Sequence, residues 1–86
     1  MEVIWITKAV YKGGYQIFLE FNDGIGGLVD LKGKLTGVIF EPLEDIEYFK
    51  KFKLNTWTIE WPNGADLAPE FLYQLVTEKQ TIGVGR

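Results

Sequence analysis

The sequence predicts an α+β domain, a small antiparallel meander of about five strands with two helices packed on the sheet, in the order β-β-β-α-β-β-α. Three observations lead there. Turn signals built from Gly, Asn, Asp and Pro recur about every ten residues, which suits short strands better than a helical bundle. Some segments repeat apolar residues with the period of a strand, others with the period of a helix. The third observation is aromatic content: six Phe, four Tyr and three Trp in 86 residues give one short chain enough buried area for a single core without disulfides.

Residues 2–11, rich in Val, Ile, Trp, Thr and Tyr, predict the first strand, and residues 15–22 the second, with Tyr15, Ile17, Leu19 and Phe21 on one face. Gly13-Gly14 between them accepts positive φ, so the two strands are expected as an antiparallel hairpin. Asn22-Asp23-Gly24 marks a second tight turn into residues 25–31, where Gly26-Gly27 predicts a bulge or a close backbone approach. In residues 41–51, Leu43, Ile46 and Phe49 recur every third position, the pattern of a short amphipathic helix. Pro42 fits its first turn, Glu44 and Asp45 its positive dipole end, Lys50 and Lys51 its negative end, and Glu47 with Lys51 an i,i+4 pair. Residues 52–55 and 57–61 predict a second β pair turned at Thr56, with Trp57, Ile59 and Trp61 on one face and Thr58 and Glu60 on the other. Trp61-Pro62-Asn63-Gly64 is turn chemistry. Residues 69–76 predict a closing helix with Pro69 at its first position and Phe71, Leu72, Leu75 and Val76 as its buried stripe. The domain is thus expected over residues 1–77, with residues 78–86 as a flexible C-terminal tail.

Composition narrows the chemistry. With neither Cys nor His, thiolate metal sites, Ser-His triads and the commonest general base are all excluded. A net charge of −3 repels phosphate, so direct nucleic-acid binding is not expected. No signal-peptide pattern opens the chain and no apolar run reaches membrane-helix length, which predicts a cytoplasmic protein without membrane association. No carboxylate pair stands out for catalysis or metal binding: Asp23 and Asp30 flank one strand and read as turn and strand-end residues. Gly24-Ile25-Gly26-Gly27 lacks the Lys, Ser and following helix of a phosphate loop. Lys50, Lys51 and Lys53 read as a solvated helix end, and the Trp57/Trp61 face as core packing, because stacking platforms for nucleic acid sit in basic grooves.

One run carries more than composition. Residues 58–73, centred on Trp61-Pro62-Asn63-Gly64-Ala65-Asp66, resemble the hallmark of a bacterial and phage family known as domain of unknown function 2442. Phe40-Glu41-Pro42-Leu43-Glu44-Asp45, the Asp23-Gly24 turn and Val29-Asp30-Leu31 extend the resemblance over residues 3–76. It implies a small α+β protein. Some members carry a helix-turn-helix domain after this one, and others are encoded beside a second small protein in what look like toxin-antitoxin pairs. No catalytic residues are recognised in the family, so the resemblance implies no catalytic, cofactor or metal residue here.

The expectation is a cytoplasmic protein-interaction module, the antitoxin-like or regulatory member of a two-protein bacterial pair, with a protein partner, no cofactor and a homo-oligomer left open. Trp61, Pro62, Asn63, Gly64 and Asp66 are its candidate structural and recognition residues. Trp61 would end a strand in the core, Pro62-Asn63-Gly64 would reverse the chain, and Asp66 would accept N–H groups ahead of the Pro69 helix. A second reading has Asn63 and Asp66 also presenting a polar recognition edge. The alternative function is a small-molecule-binding or enzymatic domain with its site at the loop of residues 62–66.

Overall fold

A computed structural model describes residues 3–81, with side chains through Glu78. The expected class and element order are present, and the strands divide into two sheets. β1 (Ile6–Gly13), β2 (Gln16–Phe21) and β3 (Gly26–Asp30) form an antiparallel meander in that spatial order. β4 (Lys53–Leu54) and β5 (Ile59–Glu60) pair separately. The meander follows from its turns. Gly13 and Gly14 at φ +115° and +54° close the first hairpin, where a side chain would be strained.

Register explains the core. Ile17 lies opposite Tyr11 and Val29, Leu19 opposite Ala9 and Gly27, and Phe21 opposite Ile6, so alternate residues of β2 project to one side of the sheet. Ile6, Ile17, Leu19, Phe21 and Val29 are buried there. Gly26-Gly27 is regular ladder, and the irregularities lie in β1, near Thr7 and Lys12. The glycine serves the close approach: a Cβ on Gly26 would come within 3.0 Å of the Glu20 side chain and 3.2 Å of the Leu19 carbonyl.

The helix expected over residues 41–51 is two short pieces. A 3-10 helix, Val38–Glu44, holds Pro42 in its interior, and α1, Ile46–Phe49, begins after Asp45. Pro42 sits inside the 3-10 piece without breaking it, and the split falls at Asp45, whose short polar side chain bonds local backbone instead of continuing the helix. Asp45 then adopts extended backbone and starts α1 anew by accepting the Glu47 N–H at 3.1 Å. Leu43 and Phe49 are buried as the spacing predicts, whereas Ile46 is exposed. Because α1 ends at Phe49, Glu47 meets Lys50 at 3.5 Å rather than Lys51.

Phe49 is the hub of an aromatic cluster, with ring centroids 5.2 Å from Tyr15, 5.7 Å from Trp61, 6.3 Å from Tyr11 and 6.4 Å from Phe52. α2 (Pro69–Thr81) closes the core with buried Leu72 and Val76 and half-buried Leu75, while Phe71 stays exposed. The Tyr73 ring stacks edge-on against Phe21 at 5.1 Å. The closing helix, expected over residues 69–76, runs on to Thr81, and residues 82–86 of the expected tail lie outside the described residues. Among the described residues no helix is long and apolar enough to cross a membrane.

Candidate functional site

The motif at residues 61–66 joins the small β4–β5 sheet to α2. Trp61 is buried, and its indole N–H donates to the Phe49 carbonyl at 2.8 Å, tying the end of β5 to α1. The backbone then reverses tightly, the Gly64 N–H donating to the Trp61 carbonyl at 2.9 Å and the Trp61 N–H to the Ala65 carbonyl at 2.8 Å. Both ends of the Asn63 side-chain amide bond to backbone. Its Nδ2 donates to the Ile39 carbonyl at 2.8 Å and its Oδ1 accepts the Ala65 N–H at 3.0 Å, clamping the 3-10 helix to the turn. Pro62 is exposed at the turn tip.

Gly64 sits at φ +91° with open space where a Cβ would stand. The strain of a side chain there is therefore in the backbone and not in a collision with neighbours. Gly64→Ala is expected to cost about 1 kcal/mol or more in chemical denaturation. Asp66 contrasts with it. Its backbone bridges Glu60, but its exposed carboxylate makes no hydrogen bond among the described residues and so does not cap α2; the Ala68 carbonyl instead accepts the first α2 amides. Asp66→Asn should accordingly change stability by less than about 0.5 kcal/mol in the same assay.

Trp57 departs most from the sequence pattern. Alternation places it beside Ile59 and Trp61 on a buried face, yet it is 53% exposed and lies outside β5. Asn55 is responsible. Its Oδ1 accepts the N–H groups of both Trp57 and Thr58 at 2.7 Å, and its own N–H donates to the Thr58 carbonyl, which pulls the chain into a turn before β5 begins. Thr58, expected on the outer face, is thereby buried, with its hydroxyl donating to the Leu67 carbonyl at 2.7 Å. The Trp57 indole is held at right angles to Trp5, ring centroids 5.7 Å apart, and the Trp57 carbonyl accepts the Ile6 N–H. The Asn55 turn is the signal that could have marked Trp57 as exposed.

Trp57, Val3, Ile4, Leu67 and Pro69 line an open cleft of about 410 Å³, and Asp66 and Glu70 supply its charge. Val3 is 60% exposed. Of the motif, then, Trp61, Asn63 and Gly64 build the turn, and Asp66 faces a surface that also holds Trp57. Asp23 and Asp30 lie at opposite ends of β3, each accepting a backbone N–H two residues on. The basic patch is spread over local partners, with Lys50 and Lys51 each 5.9 Å from a Tyr ring, Tyr11 and Tyr48 respectively.

The Asp23 carboxylate is electrostatically tuned. The Tyr73 hydroxyl donates to Asp23 at 2.6 Å and the Ile25 N–H donates at 3.0 Å, and these hydrogen bonds hold the Asp23 carboxyl below the ordinary carboxylate range. A carboxyl whose folded pKa is depressed stabilises the fold above its unfolded pKa of about 3.9 and loses that contribution as pH falls through the folded value. Tyr73→Phe should therefore flatten the acid side of the stability profile, measured by thermal unfolding across the carboxylate range, and a profile unchanged in shape would show the hydrogen bond to be inert.

Comparison with curated proteins and with solved structures returns no match. The family model described as Protein of unknown function (DUF2442) matches residues 6–78, which covers both sheets, the aromatic cluster and the motif at residues 61–66. The chain belongs to the DUF2442 family.

Proposed function

We propose that the domain is a protein-interaction module, the antitoxin-like or regulatory member of a two-protein pair, acting in the cytoplasm. The observation that carries this reading is the half-exposed Trp57 beside exposed Val3 in an open cleft. Tryptophan buries more area than any other side chain when covered, and an indole left in water in a chain with so small a core is suited to a partner surface. The resemblance to members encoded beside a second small protein supplies the kind of partner. Of the alternative site at residues 62–66, Asn63 bonds into the turn and Asp66 faces the Trp57 cleft, which suits the interaction reading better.

The test is co-expression with the protein encoded beside it, followed by purification through a tag on this chain. A stoichiometric complex, with the neighbour's growth inhibition relieved, supports the reading; a neighbour that neither binds nor is relieved overturns it. The chain alone is expected not to retain duplex DNA or RNA at physiological salt, because a net charge of −3 and one dispersed lysine patch release few counterions. Retention with a steep salt dependence in a filter-binding assay would contradict this.

A further inference from the structure

We propose that the Trp57 cleft docks a basic segment of the partner protein, an arginine side chain lying on the Trp57 indole with its charge met by Asp66 and Glu70. This rests on the interaction-module reading and names the partner chemistry at that same surface. Charge complementarity decides the occupant. Asp66 and Glu70 are the charged side chains lining the cleft, no Lys or Arg lines it, and neither carboxylate has a hydrogen bond or ion pair among the described residues. The positive end of α2 accounts for acidic residues near its first turn, but not for an indole left half in water beside them.

An arginine suits both halves of the cleft. Its planar guanidinium stacks on an aromatic face and offers several N–H donors to carboxylates, and its methylene stem covers apolar surface such as Val3. The Trp57 ring is already braced against Trp5 at 5.7 Å, so little ordering is needed on binding. The comparably sized cleft lined by Tyr15, Leu31, Phe40 and Leu43 carries both Lys32 and Glu44 and so selects no sign of charge.

The test is an amide NMR titration of the full chain with the capped peptide Gly-Arg-Gly-Arg-Gly, with the Glu-for-Arg peptide as control. Saturable shifts confined to residues 3–5, 55–58 and 66–70 and to the Trp57 indole N–H are expected. Affinity should fall about tenfold or more in the Asp66→Asn/Glu70→Gln double variant, and added salt should weaken binding to the native chain more than to the variant. Trp57→Ala should abolish the shifts while the amides of β2 and of residues 72–78 keep their positions, which separates loss of the site from loss of the fold. No shift, shifts elsewhere, or equal response to the Glu peptide overturns the proposal. If the co-expressed complex forms undiminished with the double variant, the cleft chemistry falls while the interaction-module reading stands.

Discussion

Trp61→Ala is expected to destabilise the domain by about 3–5 kcal/mol, a large part of the roughly 5–15 kcal/mol that holds a small domain together. Three losses combine. The substitution removes a side chain that is 1% exposed, leaves a void against Phe49 and Phe52, whose ring centroids lie 5.7 and 6.3 Å away, and strips the buried Phe49 carbonyl of its indole donor. Because Phe49 also supports Tyr11 and Tyr15, the void lies where α1, β1 and β5 converge and cannot close by moving one side chain. Trp61→Phe separates the parts, keeping a ring and losing the donor, and should cost about 1–3 kcal/mol. Urea unfolding of both variants checks the order, and a Trp61→Ala cost below about 1 kcal/mol would remove Trp61 from the centre of the core.

Trp57→Ala should behave in the opposite way. With Trp57 53% exposed and packed at right angles to Trp5, stability is expected to move by less than about 1 kcal/mol. Binding of the co-expressed partner should weaken by about 2–4 kcal/mol, the range of aromatic anchors near the centre of an interface. Isothermal titration of the purified partner with native and variant chains measures it. Unchanged affinity with intact folding would place the interface away from Trp57.

The contrast between these two tryptophans shows what was legible in the sequence. The first three strands follow from turn glycines and a period of two because nothing competes: Gly13, Gly14 and Gly24 all take positive φ, and β2 alternates without interruption. The spacing of Leu43 and Phe49 correctly buries both residues, but an apolar spacing of three does not distinguish one α-helix from a 3-10 helix followed by a single α-turn. Asp45 makes that distinction by leaving helical backbone and accepting the Glu47 N–H with its side chain. For residues 57–61, local side-chain chemistry overrides periodicity. The Asn55 side-chain Oδ1 captures two amides, displaces Trp57 to the surface and buries Thr58 in its place.

The candidate site divides along the same line. Turn residues announce turns, so the structural part of the motif, from Trp61 through Gly64, could be read directly. The cleft could not. It is assembled from residues 3–4, 55–58 and 66–70, segments remote in sequence that meet only because the Ile6 N–H reaches the Trp57 carbonyl and the Thr58 hydroxyl reaches the Leu67 carbonyl.

The location of the partner surface is the central claim, and hydrogen–deuterium exchange of the chain, free and in complex with its co-expressed partner, tests it most directly. The account predicts new protection over residues 3–5, 55–58 and 66–70, with exchange at the exposed Val38 and Ile39 unaltered. Protection gathered instead around Val38 and Ile39, or over Val10, Phe18 and Leu28 on the outer face of the meander, with the Trp57 segment unprotected, would contradict it.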